Sequence, residues 1–187
     1  TMIFPNQPSI HSYASIVGKK EGQGPLANFF DLIGNDTKFG QKSWEKAESQ
    51  LQLLALDTAL KKGGWEPENL DLIFAGDLLN QCVSSNFSLR SSGIPFYGLY
   101  GACSTMAESL SLAAMAVDGG YARRAAAMTS SHFASAERQY RFPLVYGGQR
   151  TPTAQWTVTG AGCILLEIDG DGPYLQAATT GIITDLG

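Results

Sequence analysis

Charge is scarce in this sequence of 187 residues: Asp, Glu, Lys and Arg make up 16% of it, against roughly a quarter in an average soluble domain. The 13 basic residues are scattered and outnumbered by 17 acidic ones, so no basic stripe for nucleic acid exists. No apolar run approaches the roughly 18 residues of a membrane span. The first fifteen residues hold no basic stretch followed by an apolar one, so no signal peptide is expected. The cysteines are three, Cys82, Cys103 and Cys163, without a Cys-x-x-Cys pair. That pattern excludes a zinc ribbon and a disulfide framework and suits a reducing compartment. With His11 and His132 the only histidines, a multi-histidine metal site is excluded. No metal and no cofactor are expected, since Gly-x-Gly-x-x-Gly and the P-loop lysine are also missing.

What is present is a 44% hydrophobic chain with 21 glycines, enough for one core and too short for two ordinary domains. Residues 1–40 are punctuated by Pro and Gly and read as an irregular extension with a strand or two, including Ala14-Ser15-Ile16-Val17. A helix is predicted over 43–62, with Ser43 as N-cap, a stripe of Trp44, Ala47, Leu51, Leu54 and Thr58, and Gly63-Gly64 as the stop. An alternation follows: strands at 70–75, 96–100 and 125–129, helices at 84–91 and 104–117. Residues 133–157 form a polar, aromatic and glycine-rich segment, 162–168 a strand and 174–183 its partner. Strands alternating with helices predict an α/β fold, a mostly parallel or mixed sheet with helices on both faces.

In such sheets ligands sit beyond the carboxyl ends of the strands, and three of these ends carry Asp77, Cys103 and His132. Cys103 lies at a strand-to-helix turn between Gly101-Ala102 and Ser104-Thr105. Free N–H groups at a helix N-terminus favour a thiolate and can hold an oxyanion. The alternative for Cys103 is an inert buried thiol, and for Asp77 a turn or N-cap aspartate. His132 is a candidate base or hydrogen-bond donor, or a satisfied histidine without chemistry. Cys163 reads as core, Cys82 as a loop cysteine without a base beside it, and His11 as a surface or loop histidine. The loop around Gln149, Arg150 and Trp156 offers donors for a carboxylate and a flat wall for a ring, or a structural interface.

Two sets of residues carry a resemblance. A strand, Gly101-Ala102-Cys103-Ser104-Thr105, then a helix of small residues resembles the nucleophile turn of the thiolase and ketoacyl-synthase superfamily. Ala75-Gly76-Asp77-Leu78-Leu79-Asn80-Gln81, Ser130-Ser131-His132 and the run 146–162, with Gly148-Gln149-Arg150-Thr151-Pro152-Thr153, resemble the stage V sporulation protein AD family of endospore-forming bacteria. The resemblance implies a thiolase-like fold, residues 1–187 being the N-terminal half of a duplicated body. It implies binding of dipicolinic acid, with or without calcium, and its uptake into the developing spore. It further implies homodimers, membrane partners among the other stage V sporulation proteins, and a peripheral place on the cytoplasmic face of the spore inner membrane.

On this reading the ligand-binding residues are Asp77, Cys103, Ser104, His132, Gln149 and Arg150. Arg150 pairs with one carboxylate, His132 with the other, and N–H groups near Cys103 and Ser104 assist. Asp77 orients a neighbour. The rival is an acyltransferase or condensing enzyme using Cys103 as nucleophile, with His132 the one plausible base in the chain. A third reading is a docking half-domain pairing through an edge at 125–131. The scarcity of charge adds an expectation of an exposed apolar face or of association.

Overall fold

The computed structural model describes residues 1–140, 152–153 and 155–185. Among them are eight strands: β1 (Met2–Ile3), β2 (Ser9–Val17), β3 (Leu32–Ile33), β4 (Leu72–Gly76), β5 (Phe96–Leu99), β6 (Arg124–Ser131), β7 (Gly160–Glu167) and β8 (Ala177–Ala178). The α-helices there are α1 (Trp44–Gly63), α2 (Val83–Leu89), α3 (Thr105–Asp118) and α4 (Phe133–Tyr140).

Local signals set the main helix. The Ser43 hydroxyl accepts the Lys46 N–H at 3.3 Å, and Gly64, at φ +67°, closes the other end in the left-handed region. The sheet has six strands in the order β3-β2-β7-β6-β4-β5. Strands β2, β3, β4, β5 and β6 point one way, and β7 runs antiparallel between β2 and β6. The expected mixed, mostly parallel sheet is therefore observed.

Period-two alternation divides the core between the two faces. On β6, Ala126 and Met128 join a cluster with Leu51, Ala55 and Leu56 of α1, while Ala125 and Ala127 join Ala113, Ala114 and Val117 of α3. On β7, Cys163 and Leu165 face the first cluster and Leu166 the second. Helix α2 lies beside α1, since Gln52 of α1 donates to the Ser85 hydroxyl of α2 at 3.1 Å.

Several expectations are corrected. Residues 174–183 do not pair with β7, because both edges of β7 are taken by β2 and β6; β8 pairs antiparallel with β1 instead. Strand β6 is not an edge, since it is hydrogen-bonded on both sides, to β4 and β7. Among the described residues the outermost strands of this sheet are β3 and β5. The N-terminal region contributes a nine-residue strand inside the sheet, and the segment after His132 begins as a helix. His11 is no loop histidine: it lies in β2, stacks on Trp65 at 3.9 Å and bonds Glu167 and the Gly63 carbonyl, both at 2.8 Å.

Large apolar side chains stand in solvent at several places, among them Phe29, Tyr97, Met115, Tyr121, Ile182 and Ile183. No helix among the described residues is long and apolar enough to cross a membrane.

Candidate functional site

Strands β4, β5 and β6 end side by side, and the loops that leave them are tied together. The Tyr140 hydroxyl of α4 donates to the Leu78 carbonyl after β4 and lies 2.6 Å from the Tyr100 hydroxyl after β5. The Asn80 N–H donates to the Gln139 side chain at 3.0 Å. Gly76 makes this approach possible: a Cβ there would run into the Leu99 carbonyl and sit 2.5 Å from the Thr105 methyl. The three strand ends singled out in the sequence do converge.

Their side chains have different surroundings. Cys103 lies in a 3-10 turn, Ala102–Ser104, that leads into α3, and its thiol is exposed. Ala102, immediately before the cysteine, has φ +48°, a left-handed conformation costly for a residue with a Cβ. The Ser104 hydroxyl turns back onto the Gly101 carbonyl at 2.7 Å. The Glu108 carboxylate occupies the space a side chain at Gly101 would need, so an anion already stands at this turn. Among the described residues no side chain hydrogen-bonds the Cys103 thiol.

Asp77 is buried. One oxygen accepts the Leu79 N–H at 2.9 Å; the other accepts the Ser85 N–H at 2.8 Å and its hydroxyl at 2.6 Å. Its geometry is that of a carboxylate holding the β4–α2 loop and the start of α2. That loop is strained, with Gln81 and Cys82 at φ +59° and +53°. Asn86 donates to both of their carbonyls, and the Cys82 thiol donates to the Leu99 carbonyl at 3.1 Å. Burial, and secondarily the charge of Asp77, raises the Cys82 thiol pKa; burial pushes that of Cys163 up to about 12. Cys163 is core, as its sequence context indicated.

His132 is fully buried. Its Nε2 donates to the Thr37 carbonyl at 2.6 Å and its Nδ1 accepts the Ala134 N–H at 3.2 Å. A carbonyl only accepts and an amide only donates, so this is the neutral ring with its proton on Nε2. Burial lowers its pKa, against smaller raising effects from Thr37 and Glu21. Gln149 and Arg150 lie outside the described residues.

Sequence reasoning missed a polar cluster beneath these loops. Glu48 and Gln52 sit on the buried face of α1. Glu48 accepts from the Ser135 hydroxyl at 2.7 Å and from Ser130 at 3.2 Å. Gln52 donates to the Gly76 carbonyl at 3.2 Å and accepts from Ser88 at 2.6 Å. Burial raises the Glu48 pKa to about 7, the serine hydrogen bonds pull it down, and Asp77 adds to the rise. An i, i+4 polar pair inside an apolar stripe was the available signal.

Two hollows among the described residues are not lined by Cys103. One, about 600 Å³, lies between α1 and α2 beside Lys46, Phe87 and Arg90. The other, about 410 Å³, lies between the loop after β2 and the segment entering β7, and includes Lys19, Lys20, Phe133 and Trp156. Among the described residues no three His, Cys, Asp or Glu side chains cluster as metal ligands would.

The same fold recurs in known proteins. The fold is similar to 3-oxoacyl-[acyl-carrier-protein] synthase III from Aquifex aeolicus VF5, with a TM-score of 0.60 and 15% identity over 88% of this chain and 55% of that one. It is also similar to Xanthomonas campestris OleA H285N, with a TM-score of 0.58 and 14% identity over 90% of this chain and 57% of that one. At such identities the likeness establishes the fold, which is thiolase-like. In sequence, the chain is 44% identical over all 187 residues to stage V sporulation protein AD of Bacillus subtilis (strain 168), of which it covers 55%. It thus spans about half the length of that curated relative. The family model for stage V sporulation protein AD matches residues 1–187. This chain, from its first residue to its last, belongs to the stage V sporulation protein AD family.

Proposed function

We propose that the protein acts in sporulation as a binder of dipicolinic acid and assists the uptake of that pyridine dicarboxylate into the developing spore, without catalysing acyl transfer. The observation that carries this reading is the state of His132. The candidate base in this chain is buried, neutral and committed at both ring nitrogens to backbone groups. General-base catalysis needs a free nitrogen within about 3 Å of the proton it takes. Family membership supports the sporulation role. The partners that go with it are other stage V sporulation membrane proteins, at the cytoplasmic face of the spore inner membrane. The homodimer, if formed through this sheet, uses an edge other than β6.

The exposed Cys103 thiol at the start of α3 favours a second reading, an acyltransferase in which it attacks a thioester. One pair of measurements separates the two. Calorimetric titration with dipicolinate gives saturable heat for the binder. Intact mass after incubation with acyl-CoA gives an adduct, lost in Cys103→Ala, for the enzyme. An adduct without dipicolinate heat overturns the first reading.

A further inference from the structure

The hollow of about 600 Å³ between α1 and α2 is a groove with helical walls. On α1 its lining runs from Glu45 to Leu53, which is two turns, or about 12 Å at 1.5 Å per residue. Facing this wall are Val83 and Phe87 of α2 and Arg90 at its C-cap. The two helices run side by side in one direction. Glu48 faces Ser84, and one turn further along both helices Gln52 accepts the Ser88 hydroxyl at 2.6 Å. Lys46, two residues before Glu48, therefore stands at one end of the groove. Arg90, two residues after Ser88, stands at the other.

The charge of the groove has one sign. Glu45 is the single acid of the lining, and its carboxylate is taken by Arg138 of α4. Neither Lys46 nor Arg90 enters an ion pair among the described residues, although the chain as a whole carries a net charge of -4. Between the two cations lies an apolar strip. Leu53 and Val83 are half-buried, and Phe87 is 57% exposed with the Arg90 guanidinium 5.4 Å from its ring centre. Other hydroxyls of the lining are already used: Ser49 donates to the Glu45 carbonyl at 3.1 Å, and Ser88 to Gln52. What the groove leaves open is a cation at each end and an apolar strip in the middle. An amphipathic helix laid in a groove presents anchors at i, i+3 or i+4, and i+7. Its i and i+7 positions lie about 10.5 Å apart on one face, which matches the length of the α1 wall.

We propose that this groove docks an acidic amphipathic helix of a partner protein, with carboxylates at i and i+7 on Lys46 and Arg90 and an apolar side chain at i+3 or i+4 against Phe87, Leu53 and Val83. The proposal goes beyond the ligand reading above and stands independently of it. A concave groove two turns long suits one helix and not a flat lipid surface.

The test is fluorescence anisotropy of a labelled synthetic helix of about 18 residues, with Glu at i and i+7 and Leu at i+3 and i+4, titrated with the full chain. The variants are Lys46→Glu, Arg90→Glu, Phe87→Ala and, as a control at the far end of α1, Lys61→Ala. All four side chains are exposed, and thermal midpoints verify that each variant is folded. Saturable binding to the wild type is expected, weakened by added salt, reduced at least tenfold in each groove variant and unchanged in Lys61→Ala. The double variant Lys46→Glu/Arg90→Glu is expected to prefer the same peptide with Lys at i and i+7. Absence of binding to the folded wild type, or equal binding of the Glu and Lys peptides, overturns the proposal. Wild-type affinity in the three groove variants overturns the site. Without peptide binding, co-sedimentation with phosphatidylglycerol vesicles lost in the groove variants makes this face a lipid contact, and self-association lost in them makes it a contact between copies; either result overturns the proposal.

Discussion

His132 donates from Nε2 to the carbonyl of Thr37 at 2.6 Å, and this bond joins the end of β6 to the irregular loop before α1. The same residue was the sequence's best candidate for a base. The hydrogen bond makes it instead a fixed post that holds the loop and backs Phe133.

The pH dependence of stability follows from two buried groups that act in opposite senses. The Glu48 pKa is raised to about 7, so the folded state holds a proton that the unfolded chain releases near 4.5. Its contribution is fully present at acid pH and falls as pH rises through about 7, by an amount on the order of 3 kcal/mol. The His132 pKa is lowered, so its contribution is present above the ordinary histidine range and is lost on acidification. Glu48→Gln is expected to remove the loss of stability between about pH 4.5 and about pH 7 and leave the His132 limb intact. Denaturant midpoints at a series of pH values check this; an unchanged fall between about pH 4.5 and about pH 7 in the variant would refute the role of Glu48.

Asp77→Asn is expected to cost about 1–3 kcal/mol, the magnitude of a buried donor left unpaired. The carboxylate accepts three hydrogen bonds from two sides, and an amide nitrogen would face at least one N–H. Chemical denaturation measures the loss. Asp77→Asn at wild-type stability would mean that the β4–α2 loop is held by other contacts.

Gly76→Ala is expected to destabilise by roughly 1–3 kcal/mol, the usual range for overpacking, because the added methyl meets the Leu99 backbone and Thr105. The strain falls on the junction of β5 with the Cys103 turn. A thermal midpoint equal to that of the wild type would show that β4 and β5 can separate at no cost.

Cys103 is the exposed thiol of the three, and the other two are buried with raised pKa values. Ellman's reagent at pH 8 is expected to react rapidly with one equivalent of thiol in the native chain and with three after denaturation. Cys103→Ala removes the fast equivalent. Two fast equivalents in the native protein would place Cys82 in solvent.

Much of this architecture was legible in the sequence. Apolar runs ending at Gly76 and Gly101 marked β4 and β5, the apolar run before Ser130-Ser131-His132 marked β6, and Ser43 and Gly64 bracketed α1, because these are local signals. Strand β2 was underestimated because it is rich in serine and carries His11; its polar groups find partners elsewhere, as when the Ser12 hydroxyl donates to the Ala59 carbonyl at 2.9 Å. Glu48 and Gln52 left only their i, i+4 spacing as a signal, because the groups that satisfy them lie 24 to 87 residues away. That Asp77, Cys103 and His132 follow strands ending on one side of the sheet was legible from the alternation of strands and helices, but their hydrogen bonds were not. The cavity could not be read from sequence, since Lys20 and Trp156 meet only through the pairing of β2 with β7.

The most direct measurement is calorimetric titration of dipicolinate into the folded chain. Saturable binding near one equivalent, not accompanied by an acyl adduct on Cys103, is the predicted result. A flat titration from a chain whose thermal transition shows it to be folded would contradict the account.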